Sequence, residues 1–222
     1  MIQAINDGLA ANNILSLYGI VNGTTNFVLQ RMTEEKKSLK EAVALAQKKG
    51  LAEADPTLDL NGMDAAHKLS ILASLAFSKR VKLEDIYVEG IERITAQDIE
   101  FAREEFGRVV KLLAIAKVFD GELEVRVHPT LIPEDHLLAS VDNEYNGVLV
   151  TGDAVGTTMY YGLGAGQSPT ASAVMSDLIY VSRNLHEEVG GESSNCWYLG
   201  DNPNVKRIKK MSGIKSRYYL KF

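Results

Sequence analysis

The chain has 222 residues, enough for one large domain or one domain with an appendage, and its 45% hydrophobic and 24% charged residues are ordinary for a soluble globular protein with a real core. A net charge of −5 argues against nucleic acid as a partner, because that binding rests on Lys and Arg neutralising phosphates. The single cysteine, Cys196, excludes an intrachain disulfide and fits a reducing compartment. No apolar run approaches the ~20 residues of a membrane span. The first residues lack the basic-then-apolar pattern of a signal peptide, so the cytoplasm is the expected location.

Residues 14–21 (Ile-Leu-Ser-Leu-Tyr-Gly-Ile-Val) read as a strand ending at Asn22-Gly23, and a helix opens near Thr24–Asn26 and runs to about Met32. A glycine-bearing strand-to-helix turn points backbone N–H groups outward. Ser38 and Glu41 form a capping box for the next helix, whose Leu39, Ala42, Val43 and Ala46 share one stripe and which Gly50 ends. Residues 51–60 follow no period and carry Glu53, Asp55 and Asp59, while Pro56 biases Asp55 toward extended geometry. A long helix then runs from Asn61 or Gly62 to Phe77, with Asn61 placed as its N-cap.

Residues 109–119 fit helix or strand, with strand preferred. Leu123, Val125 and Val127 alternate as in a half-buried strand, and residues 146–151 and 157–161 form a strand pair around Gly152-Asp153. Ser168-Pro169 opens a helix, Ser as N-cap and Pro at the first helical position, that reaches about Leu185. From Gly190 the glycine-, serine- and asparagine-rich composition reads as a linker, and Lys206, Arg207, Lys209, Lys210, Lys215 and Arg217 as a solvated basic face of it. The pattern predicts an α+β fold with helices packed on one face of a mixed, largely antiparallel sheet.

Asp64 and Lys68 stand at i, i+4 and are neighbours on one helix face. Spacing alone admits a surface ion pair worth under ~1 kcal/mol. The rest of that helix is small and apolar (Ala65, Ala66, Leu69, Ile71, Leu72, Ala73), which predicts burial on most sides and a poorly solvated Lys68. Burial disfavours an ammonium and an adjacent carboxylate favours it, and a lysine between those forces can exchange a proton near neutral pH. The acidic loop before the helix could receive a cationic substrate group. Gly164-Ala-Gly166 leads into a helix N-terminus with free N–H groups, which suits either a dinucleotide or a plain tight turn.

Three blocks then take on a family's pattern. Tyr18-Gly-Ile-Val-Asn-Gly-Thr-Thr-Asn26, Gly50-Leu-Ala-Glu-Ala-Asp-Pro-Thr-Leu-Asp-Leu-Asn-Gly-Met-Asp-Ala-Ala-His-Lys-Leu69 and Gly162-Leu-Gly-Ala-Gly-Gln-Ser-Pro-Thr-Ala-Ser-Ala-Val174 closely resemble signature blocks of homoserine dehydrogenases, in that family's order. The resemblance covers about residues 5–185. It implies reversible reduction of L-aspartate 4-semialdehyde to L-homoserine with NADP or NAD as cofactor, in threonine and methionine biosynthesis. It also implies that Lys68 is the proton donor and acceptor with Asp64 beside it, and that Glu53 binds the amino-acid substrate in a pocket shared with Asp59. Gly23 and Thr24 match positions near substrate and nicotinamide, and Gly164 and Gly166 match positions in contact with the cofactor.

Family members begin with a Rossmann domain bearing Gly-x-Gly-x-x-Gly, and no such motif opens this chain, so the dinucleotide is expected to be held mostly by a domain outside it. Leu51 stands where the family more often has tyrosine. Ser216-Arg-Tyr-Tyr-Leu-Lys-Phe222 resembles the opening strand of a regulatory ACT domain. The expected division is a catalytic domain at 1–187, a linker at 188–215 and the start of an ACT-like domain at 216–222. Sheets of the family meet across a two-fold, so a homodimer acting on a small-molecule substrate is expected, with no membrane partner. His67, His128, His136 and His186 show no metal-ligand spacing, and no metal site is expected. The alternative is a non-catalytic dimerisation module derived from such an enzyme; a dehydrogenase for a different amino-acid semialdehyde is a third reading.

Overall fold

The computed structural model describes residues 1–185, 202 and 204–220. Among them a seven-stranded mixed sheet forms, largely antiparallel, with helices packed on one face, as the sequence pattern predicts. Strand β1 (Ile14–Ile20) is central and lies antiparallel between β3 (Arg108–Phe119) and β5 (Tyr145–Gly152). The stretch that fitted helix or strand is therefore strand. β3 turns into β4 (Glu122–Pro133) through Asp120-Gly121, at φ 52° and 75°. Two successive positive φ values match the twist of the flanking strands, so the hairpin closes tightly. β5 pairs with β6 (Gly156–Leu163) in a second hairpin. The free edge of β4 takes two short parallel strands, β2 (Tyr87–Val88) and β7 (Arg207–Lys209).

Side-chain alternation sorts the two faces. Leu17, Ala114, Ala116, Leu123, Val125, Val127, Val148 and Val150 point toward the helices and bury against Phe27, Val28, Ala66, Leu69 and Ala73. On the opposite face Ile20, Leu113, Ile115 and Leu149 form a smaller cluster under Leu138 and Val141.

The helices start where local chemistry starts them. Helix α1 (Gly23–Glu35) opens because Asn22 Oδ1 accepts from Thr25 N at 2.8 Å, and it ends on left-handed Lys36. Helix α2 (Leu39–Lys48) has the expected capping box, with Ser38 N donating to Glu41 Oε2 at 2.8 Å. Inside the acidic stretch a one-turn helix α3 (Thr57–Leu60) forms, nucleated by Asp55 Oδ1, which accepts from Thr57 N and Oγ1. Helix α4 (Met63–Ala76) has Gly62 at its N-cap; Asn61, expected in that place, reaches Met63 N from one residue further back. Helix α5 (Ala96–Phe106) has its own capping box at Thr95 and Asp98. Helix α6 (Gln167–Leu185) begins one residue before Ser168, which therefore lies inside the helix and is not its cap.

The basic segment expected to be a solvated linker folds back in part. Arg207 and Lys209 both pair with Glu122, Val205 and Ile214 are buried, and Tyr219 packs on Phe101 of α5. These contacts couple residues distant in sequence, so no local pattern announced them. Cys196 and His186 lie outside the described residues.

One close approach fixes the acidic turn. Ile91 N donates to Leu60 O at 2.8 Å, and this draws Gly90 so near Leu60 and Asn61 that a Cβ there would collide with their backbone. Gly90→Ala is expected to lower stability by about 1–3 kcal/mol, the usual cost of overpacking, measured by urea unfolding. An unchanged midpoint would mean that the turn shifts without cost.

Candidate acid–base site

The site forms where the end of β1 meets the start of α4. Lys68 lies one turn after Asp64 on α4, and its Nζ donates to Asp64 Oδ2 at 2.6 Å and to Val21 O, just past β1, at 3.0 Å. The next residue, Asn22, donates from Nδ2 to Asp64 Oδ2 at 2.9 Å and to Asp59 Oδ1 at 2.6 Å. One hydrogen-bonded network therefore runs Lys68–Asp64–Asn22–Asp59. Asn22 is buried, and its Oδ1 is committed to Thr25 N and Thr25 Oγ1, which fixes the direction of the amide.

Lys68 is not desolvated as the apolar composition of its helix suggested. Its side chain is 47% exposed and that of Asp64 32%. The reason is the helix's orientation. Ala65, Ala66, Leu69, Leu72 and Ala73 face the core, while Asp64, Lys68 and Ile71 line the other side, where Ile71 is also exposed. That side borders an open cavity of about 540 Å³ whose wall includes Val21, Lys68, Leu72, Asn146, Val148 and Gly164. An exposed ion pair of this kind contributes little to stability. It leaves an ammonium that uses two of its three donors on protein, with the third available to a ligand.

The other sequence-derived residues fall into three groups. Asp59 joins the network through Asn22. Thr24 is buried, and its hydroxyl is spent on Leu51 O at 2.8 Å, which ties α1 to the acidic stretch. Gly23 presses on Glu144, whose carbonyl oxygen would lie 2.5 Å from an added Cβ. Glu53 stays outside the network: Gln47 Nε2 holds its backbone carbonyl at 3.0 Å, and its carboxylate is exposed. Gly164 lines the cavity and lies under the Asn146 side chain, which would overlap an added Cβ. Gly166 is exposed at φ 112°, immediately before α6. Asn22 is the residue that sequence reading missed. Its signal was present, a polar cap residue at a strand end with threonine three positions on.

These features define a candidate site on an α+β domain, an anchored lysine with two carboxylates beside it at the wall of an open cavity. The family model for homoserine dehydrogenase matches residues 1–179, and the chain belongs to that family. A curated homoserine dehydrogenase of Synechocystis is 54% identical over 226 residues, covering all of this chain and 52% of that protein. The solved homoserine dehydrogenase of Thiobacillus denitrificans superposes with a TM-score of 0.89 at 46% identity, covering 96% of this chain and 49% of that one. A hyperthermophilic archaeal homoserine dehydrogenase solved in complex with NADPH matches at 26% identity and a TM-score of 0.70, covering 83% of this chain and 52% of that one. The chain thus spans about half the length of the relatives it matches.

Removing the cap tests the junction. Asn22→Ala is expected to cost at least about 1 kcal/mol in urea unfolding, the usual penalty for a lost N-cap. Asn22→Ser keeps a capping hydroxyl without the bridging amide and is expected to recover most of that loss. Equal stability of wild type and Asn22→Ala would refute the capping role.

Proposed function

We propose that this chain is the substrate-binding and acid–base half of a homoserine dehydrogenase that reduces L-aspartate 4-semialdehyde to L-homoserine, with NADPH or NADH, as a cytoplasmic homodimer. The observation that carries the reading is the placement of Lys68, anchored on Asp64 and Val21 O with its remaining donor beside an open cavity. In reduction Lys68 gives a proton to the substrate's carbonyl oxygen as that oxygen gains charge, and the ammonium stabilises it beforehand. In the reverse direction the neutral amine takes the proton of the homoserine hydroxyl. Asp64 holds the amine in place.

Glu53, whose carboxylate has no hydrogen bond among the described residues, takes the substrate ammonium in a charge-assisted contact, with Asp59 close to the same pocket. Gly23 and Thr24 form the floor between them, Thr24 by tying α1 to Leu51.

The cavity suits a nicotinamide. Val21, Ile71, Leu72, Val148 and Tyr160 give it an apolar wall, and Asn146 Oδ1, buried with no hydrogen-bond partner among the described residues, is an acceptor that a carboxamide fits. When bound, that group supplies or takes the hydride. The archaeal relative solved with NADPH supports the assignment. Gly164 and Gly166 border the dinucleotide at the start of α6, and most of its binding surface belongs to protein outside these residues. The exposed Val174, Met175, Leu178 and Ile179 of α6 support that division, because an apolar stripe of this size invites cover.

In the complete enzyme, Lys68→Ala is expected to lower kcat by about 10²–10⁴-fold, the usual share of a positioned acid–base group, with substrate binding by calorimetry largely retained. Full turnover in the variant would sink the acid–base role of Lys68. A dimer that binds neither aldehyde nor dinucleotide would favour the non-catalytic module instead.

A further inference from the structure

We infer that Lys111 is a positioning residue whose buried ammonium clamps the turn at residues 141–146 onto the first turns of α1 and so sets the spacing between the two walls of the site. The inference rests on the dehydrogenase reading above. Lys111 lies in the first half of β3 and is only 5% exposed. Lysines are almost never buried unless paired. Its ion-pair partner among the described residues, Asp142, is 4.0 Å away with a side chain 53% exposed. The amine instead donates to Val141 O at 2.7 Å and to Asn26 Oδ1 at 3.0 Å. Burial pushes the amine below the usual lysine range, and Asp142 and Glu34 offset only part of that.

The second contact gives the lysine its reach. With Oδ1 of Asn26 held by the ammonium, the Asn26 amide N–H groups must face the turn, where Nδ2 donates to the carbonyls of Val141 and Asn143 at 2.9 Å and of Tyr145 at 3.4 Å. Asn143 takes a left-handed φ of 54°. Its N–H donates to Gln30 Oε1 at 2.5 Å, and its Oδ1 accepts from Arg31 Nη2 at 2.9 Å.

The turn then reaches both walls. Glu144 O rests on Gly23, Tyr145 stacks on Tyr161 with centroids 5.0 Å apart, and Asn146 lies on Gly164. Gly23 borders the proposed substrate side and Gly164 the proposed cofactor side. A displaced turn moves both, and no apolar residue at 111 could orient the Asn26 amide. Lys111 touches neither substrate nor cofactor and acts only through Asn26 and the turn.

Lys111→Met keeps the stem and removes the ammonium. In the complete enzyme we expect a folded protein whose kcat is about 10- to 100-fold lower, as for a misplacement of order 1 Å, with little change in KM for the aldehyde. In the 222-residue chain, amide exchange at Asn143–Asn146 should quicken while that of α2 does not. Wild-type kcat together with unchanged exchange would overturn the proposal. If Lys111→Met does not fold, Asn143→Gly loosens the same turn from its outer side, and a wild-type kcat in that variant overturns the proposal equally. Wild-type protein without any turnover that Lys68→Ala abolishes would refute the dehydrogenase reading instead, and the exchange experiment would still decide the clamp.

Discussion

The amide of Asn22 joins the fold to the chemistry, because its two ends serve different masters and neither can be exchanged. The oxygen is held by Thr25, whose backbone N–H and hydroxyl both point at it to start α1. The nitrogen must then face α3 and α4, where Asp59 and Asp64 share it. Two carboxylates brought together repel unless a donor stands between them, and here the donor is fixed by a helix cap. Asp64, oriented in this way, presents an oxygen to Lys68, and the carbonyl of Val21 supplies the second anchor from the same strand end. The position of the lysine is therefore inherited from where β1 stops.

The site is also open. A half-exposed Lys68, an exposed Glu53 and a cavity wall that is mostly apolar describe one side of a cleft more than a closed chamber. Charge–charge interactions across such a site are screened by water, and they strengthen when water is excluded. Exclusion of water from the cavity therefore strengthens the contacts on which the proposed catalysis depends.

What the sequence disclosed follows a physical rule. Features encoded within a few residues were legible: the Ser38–Glu41 box, the i, i+4 pairing of Asp64 with Lys68, and the strand through Leu123, Val125 and Val127, although it is not half-buried as its alternation suggested, because Glu124 and Arg126 on its other face are buried as an ion pair. Features that need distant partners were not. β7 exists because Glu122–Glu124 offers it an edge, and α3 hides in a stretch whose acids mask its single turn. Helix α5 carried a readable capping box at Thr95 and Asp98, but it buries only Asp98, Ile99 and Ala102, too thin a stripe to stand out. The solvation of Lys68 was misjudged because apolar residues on both sides of α4 implied two buried faces, and one of them borders the cavity. The cap at Asn22 is local, but its bridge to Asp59 and Asp64, and the contacts of Lys111, involve residues dozens of positions away.

The central seat of β1 has a consequence for how the molecule comes into being. Its neighbours in the sheet are Lys117 beside Ser16 and Val150 beside Leu17, so β1 pairs only with segments made roughly 100 residues or more after it. At usual rates of synthesis that interval is about 5–20 s, during which Leu17 and Ile20 have no sheet to enter. Sequence-distant pairing of this kind folds slowly. Within this sheet the first pairing open during synthesis is then not one of β1 but the β3–β4 hairpin, which forms from neighbouring residues and later offers β1 an edge on which to dock.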